Sequence, residues 1–183
     1  MKKEAKSKKK MTDILLDINI ADQRWEQALP NVSALMENVK ATAFDYVQKN
    51  ADIDVLNTDK PLLIGVCLSD NVQVQDLNKQ FRGLDKPTNV LSFANLDDPD
   101  FEQEMQYYPE IDLGNIILAY ETMEKEAAEQ QISLQNHFCH LLVHGFLHLL
   151  GYDHMEPDDA AVMEAAEVAI LAKLNIDNPY EED

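Results

Sequence analysis

Three histidines interrupt an otherwise apolar stretch. In "HGFLHLLGYDH", His144, His148 and His154 stand at i, i+4 and i+10, with Gly151 at i+7. A neutral imidazole offers a ring nitrogen to a metal ion, and on a helix two residues four apart lie about 40° apart around the axis and one turn along it. His144 and His148 therefore face one side and can share an ion. A third helical ligand another turn away is out of reach of an ion bound through nitrogens at about 2.1 Å, so the chain has to turn back to supply it. Gly151 permits the turn, and His154 returns from the loop beyond. Three neutral nitrogens with an open fourth position describe a catalytic zinc site, one ion per chain, rather than a structural one. Such a set leaves the full double charge of the ion to polarise a water, lowering its pKa toward about 7.

The spacing and the glycine match the metzincin protease signature H-E-x-x-H-x-x-G-x-x-H, except that the residue after the first histidine is Gly145 where those enzymes carry the general base. Peptide hydrolysis has lost its proton acceptor. His137 and His140 continue the stripe toward the helix start, too far along to join the same ion, and are expected to pack or to hydrogen-bond. A His140–His144 pair is the less favoured alternative because nothing nearby completes it. Asp153, just before the third histidine, either orients an imidazole or caps its own turn.

The elements that must position these residues follow from periodicity. "ILLDINI", "PLLIGVCLS", "TNVLSFA" and "NIILA" read as strands, with Phe93 in the core. "VSALMENVKATAFDYVQ" and "DNVQVQDLNKQFRG", the latter capped and ending at Gly83, read as helices. So do "AYETMEKEAAEQQ", residues 133 to about 150, and "PDDAAVMEAAEVAILAKL". "NLDDPDFEQEMQYYPEIDLG" reads as a surface loop, whose Tyr107 and Tyr108 either stack on unpaired bases or pack back on the domain. The expected fold is α+β, close to α/β: one domain spanning 11–183, a small mixed sheet packed with helices, and a central helix carrying the histidines.

The 183 residues carry a net charge of −19, unevenly spread. Residues 1–10, "MKKEAKSKKK", hold six Lys and one Glu, which leaves about −24 on the remainder by subtraction. The basic block is expected to be a disordered tail. The acidic body repels nucleic acid at long range, so an RNA partner needs a local basic patch, and the same surface suits basic ribosomal proteins or assembly factors. Cys67 and Cys139 lie far apart in apolar settings and are expected to be buried reduced thiols. No run approaches the roughly 18 apolar residues of a spanning helix, and Asp17 breaks the segment a signal peptide would need, so a cytoplasmic location without membrane contact is expected.

"HGFLHLLGYDH", with "LNKQFRGLDKPTNVLSF" (77–93), "LGNIILA" (113–119) and the closing "DNPY", resembles the YbeY family of bacterial endoribonucleases and rRNA maturation factors; the likeness runs from about residue 62 to 180. The resemblance implies a metal-dependent hydrolase of single-stranded RNA, acting in maturation of small-subunit ribosomal RNA, ribosome quality control and RNA turnover. It implies zinc held by His144, His148 and His154, and it marks Arg82 as a functional basic residue. Spacing alone leaves Arg82 either bordering the cleft, with Lys86 beside it, or capping helix carbonyls. Against the family's usual T-D-V-L-S-F and G-D-I the chain has Asn89 and Asn115, two neutral amides for two carboxylates. Two other classes stand behind the nuclease: a zinc hydrolase of another substrate such as peptide, and a ribosome-assembly adaptor with a structural metal.

Overall fold

A computed structural model describes residues 12–181, so the basic segment 1–10 lies outside the described residues. Its sheet has four strands in the order β1-β2-β4-β3. β1 (Ile14–Ile20), β2 (Leu62–Ser69) and β4 (Ile111–Ala119) run parallel, and β3 (Val90–Ala94) lies antiparallel along the edge of β4. Alternation decides which side of each strand is buried. Ile14, Leu16, Ile18 and Ile20 turn toward the core, while Leu15, Asp17 and Asn19 face out.

Parallel neighbours need crossovers. α1 (Arg24–Ala28) and α2 (Val32–Asn50) link β1 to β2; α3 (Asn71–Arg82), β3 and α4 (Phe101–Tyr107) link β2 to β4. α5 (Tyr120–Glu129), α6 (Leu134–Leu149) and α7 (Pro157–Lys173) complete the chain. Val74 of α3 packs on Leu91, Ile117 and Ala119 on one face of the sheet. The larger core lies on the other face, where α2, α6 and α7 gather with Trp25. Phe44 of α2 meets Phe146 of α6 edge-on, ring centroids 5.6 Å apart. Burying one such ring contributes about 2–3 kcal/mol.

α6 is the helix around which the site is built. Ser133 starts it, its hydroxyl accepting from the Asn136 amide at 3.1 Å. From Phe138 to Leu149 every residue is buried except His140, His144 and His148. A helix this apolar has neighbours on nearly every side. The one stripe left half-open carries an imidazole every four residues.

Four sequence expectations are corrected here. The acidic segment read as a loop contains α4, which anchors itself by burying Phe101 and half-burying Met105, one turn apart. β4 also starts earlier than "NIILA", at Ile111, because Leu113 bulges from the ladder between β2 and β4 and keeps both ends paired. Phe93 is only half-buried, against Phe81 of α3. Cys139 is buried and Cys67 half-buried, both as free thiols.

Candidate metal centre and cleft

α6 ends at Leu149, and Gly151 adopts φ 91°, a left-handed value that a side chain resists. The chain reverses there, and the Tyr152 amide bonds back to the Leu147 carbonyl at 3.0 Å. Asp153 caps the turn, its carboxylate accepting from the amides of His154 at 2.7 Å and Met155 at 3.2 Å. Its role is thus local; it holds no imidazole. His154 is brought back over the helix, and its ring stacks on that of His144, with centroids 5.4 Å apart. One ligand nitrogen from each of His144, His148 and His154 lies within 4.8 Å of the other two.

The outward nitrogens are already engaged. His144 Nδ1 lies 2.5 Å from Glu167 Oε1, and His148 Nδ1 lies 3.0 Å from the Tyr152 carbonyl. Both partners accept, so both Nδ1 atoms donate. That turns the two Nε2 atoms toward each other at 3.0 Å, an approach that a cation held between them relieves. Two nitrogens about 2.1 Å from one tetrahedral ion stand roughly 3.4 Å apart, so the pair needs little adjustment to hold one. Burial, with His144 and His154 alongside, pushes His148 down to about 4, and the Tyr152 carbonyl only partly offsets this. It is neutral at neutral pH, as a ligand must be. The donor set fits a divalent transition metal such as zinc.

Glu167 of α7 was not singled out by sequence reasoning. It is fully buried, which by itself raises a carboxyl, but donors from His140, His144 and Tyr180 outweigh burial and bring it down to about 2. A signal was there: Glu167 lies on the stripe Met163, Ala166, Ile170, Leu171, where a charge is out of place. His140 sits 3.6 Å from Glu167 Oε2 rather than beside an ion position, and His137 is buried against Glu126 at 2.7 Å.

A cleft of about 500 Å³ opens over the histidines, with Arg82, Asn89, Ser92 and Tyr152 among its other lining residues. Arg82 is the last residue of α3, which Gly83 stops with φ 70°. Its guanidinium leaves its own helix carbonyls alone and reaches the Ser92 carbonyl of β3 at 3.4 Å. Of the two readings open at the sequence level, the side chain adopts the one on the cleft wall. Lys86 is exposed and is not part of that wall. Tyr107 and Tyr108 are exposed at the far end of α4, and Tyr108 borders a different groove.

The two amide departures have local explanations. Asn89 donates to both carboxylate oxygens of Glu126, at 3.0 and 3.2 Å; an aspartate there would set two carboxylates against each other. Asn115 lies over Gly65 on the sheet face away from α6 and is not among the residues lining the cleft. Gly145 marks where α6 touches β4, since a Cβ there would stand 2.9 Å from Ile116 Cδ1. The position that holds a general base in the protease signature here faces the sheet.

The profile of the family described as Endoribonuclease YbeY matches residues 19–175. The chain belongs to this family. A YbeY protein named as an endoribonuclease in Paramagnetospirillum magneticum is 43% identical over 169 residues, covering 92% of this chain and 97% of its own. The Magnetococcus marinus YbeY protein is 52% identical over 124 residues, covering 66% and 84%, and that of Rhizobium etli 41% over 174 residues, covering 93% and 95%. A solution structure of a Thermotoga maritima protein shares the fold, with a TM-score of 0.51 at 22% identity, covering 92% of this chain and all of that one. Among the described residues no helix is long and apolar enough to cross a membrane.

Proposed function

We infer that this YbeY-family chain is a zinc-dependent endoribonuclease that cleaves single-stranded RNA. Its field of action is maturation of small-subunit ribosomal RNA, ribosome quality control and RNA turnover in the cytoplasm, with residues 11–183 acting as one hydrolase domain. The observation that carries the reading is that Arg82 lines the same open cleft as the His144–His148–His154 cluster. The three imidazoles would hold one zinc ion, which supplies a Lewis acid and a water acidic enough to attack at neutral pH. Arg82 carries a guanidinium whose forked donor geometry fits two phosphoryl oxygens. It lines the cleft from the end of α3, beside β3, and would offer charge where the phosphate gains it.

Unpaired RNA fits this arrangement better than duplex. With a body near −24, long-range attraction is absent, so binding rests on what a flexible strand can place into a cleft of about 500 Å³. Peptide hydrolysis is disfavoured because the general-base position is Gly145, packed on Ile116. The acidic surface also suits basic ribosomal proteins as partners on the way to the ribosomal RNA.

Wild type and His148→Ala, each lacking residues 1–10, incubated with single-stranded RNA, duplex RNA and casein, test the reading. Zinc-dependent cutting of single strands by wild type alone is expected. Zinc-dependent casein hydrolysis with no RNA cleavage would overturn it.

A further inference from the structure

Glu167 is fully buried on the apolar face of α7, and no Lys or Arg pairs with it among the described residues. Taking a carboxylate out of water without a permanent cation is strongly unfavourable, and an apolar residue would suit the stripe better. What surrounds it is a directed chain of donors. Glu167 Oε1 accepts from His144 Nδ1 at 2.5 Å, and Oε2 accepts from the Tyr180 hydroxyl. That hydroxyl lies 3.3 Å from His140 Nε2, so it accepts there while donating to the carboxylate. Tyr180 is brought back from beyond α7 by a turn in which Asn178 Oδ1 accepts the Tyr180 amide at 2.9 Å. The closing "DNPY" segment thereby reaches the histidine cluster through a single carboxylate.

We propose that Glu167 and Tyr180 are positioning residues for the three-histidine cluster: Glu167 fixes His144 with its proton on Nδ1 and its lone pair on Nε2, and Tyr180 holds Glu167 in place. This rests on the metal-site reading above. An ionised carboxylate can only accept, so it dictates which nitrogen of His144 is left for an ion and at what ring angle. His148 has the same service from a backbone carbonyl, that of Tyr152, which no side-chain substitution removes. His144 depends on a side chain 23 positions away, and that side chain depends on Tyr180. The C-terminal segment is therefore part of the metal site rather than a trailing end.

Three full-length proteins separate positioning from mere packing: wild type, Glu167→Leu, which conserves volume on an apolar stripe, and Tyr180→Phe. Chelator competition gives the zinc dissociation constant. Melting with excess chelator gives the stability of the metal-free fold, and nitrogen-15 spectra of the metal-free protein at pH 8 give the His144 tautomer. Glu167→Leu is expected to weaken zinc binding about tenfold or more, and Tyr180→Phe about threefold or more. Metal-free melting should stay within about 3 °C of wild type or rise, since a buried charge has gone. The His144 proton should sit on Nδ1 in wild type and move to Nε2 in Glu167→Leu. Zinc affinities within twofold of wild type in both variants, or a wild-type His144 protonated on Nε2 alone, overturn the proposal. A wild type that binds no zinc defeats the metal reading instead, and the tautomer measurement still decides the role of Glu167.

Discussion

Gly145 brings α6 against β4 so closely that a Cβ on it would lie 2.9 Å from Ile116 Cδ1 and 3.0 Å from Ile116 Cγ2. Ile116 is itself fully buried, so it has little room to yield. The close approach sets the height of the helix over the sheet, and with it the level of the histidines above the cleft floor. It also explains why a chain with protease-like histidine spacing lacks the protease glutamate: the next residue on the helix points into the sheet.

Gly145→Ala should therefore destabilise the protein. Alanine gains up to about 1 kcal/mol in helix propensity, but overpacking costs about 1–3 kcal/mol, leaving a net loss of about 1 kcal/mol and a melting point lower by about 3 °C. Gly145→Glu would bury an unpaired carboxylate against Ile116 and should prevent folding. Circular dichroism melts check both. A Gly145→Glu protein as stable as wild type would show that α6 does not rest on this contact.

Each chain should hold close to one zinc, and His144→Ala, His148→Ala and His154→Ala should each lower occupancy, whereas His137→Ala should not. The ground is geometric: the first three present nitrogens within 4.8 Å of one another, while His137 faces Glu126. Elemental analysis of the five proteins decides it. Full zinc retention in the His154 variant would remove the three-ligand arrangement.

Acid should weaken the metal-free fold before it affects most carboxylates. His148 is pushed down to about 4 from an ordinary 6.5, so between those values the unfolded chain binds the proton and the folded one refuses it. Stability is then complete above about pH 6.5 and declines as pH falls toward 4. Allowing for the ring's partial exposure, the loss from pH 7.5 to pH 5 is about 1 kcal/mol. Glu167, brought down to about 2, adds its own loss only below about pH 4.5. Urea titrations of chelated wild type and His148→Gln at the two pH values test this; an equal drop in both would assign the acid sensitivity elsewhere.

How much of this was legible in the sequence depended on how local each signal is. The His144–His148–His154 spacing is carried by one helix and one glycine turn, so it could be read without any partner, and the cap residues Asp70 and Ser133 are as local. α1 is five residues long, too short for periodicity to show, yet it buries Trp25 completely and ties its indole to the Ser69 carbonyl at 2.9 Å. α4 was hidden by its acids, although Phe101 and Met105 recur one turn apart. Glu167 and Tyr180 act on the histidines only through folding, across 23 and 40 positions of chain. The path of Arg82 was undecidable from spacing, since a residue ending a helix can turn toward its own carbonyls or away. The structure turns it away because β3 passes beside it and offers the Ser92 carbonyl.

The placement of Arg82 makes the two accounts of it separable in solution. If its guanidinium steadies the phosphate as charge builds, Arg82→Ala should lose about a hundredfold or more in RNA cleavage, the scale of removing one well-placed donor. Zinc content and folding should be unchanged, because the side chain is exposed and its one bond among the described residues, to Ser92, is long at 3.4 Å. Arg82→Lys should recover only part of the rate, since an ammonium keeps the charge and loses the two-pronged fit to phosphate oxygens. A residue that merely ties the end of α3 to β3 predicts the opposite order: earlier melting in Arg82→Ala by up to about 1 kcal/mol, much of it restored by lysine, and little change in rate per folded molecule. Cleavage rates, melts and zinc analysis on the three proteins distinguish these patterns. An Arg82→Ala protein that cuts RNA at the wild-type rate while melting earlier would take Arg82 out of the chemistry and leave the histidines to carry it.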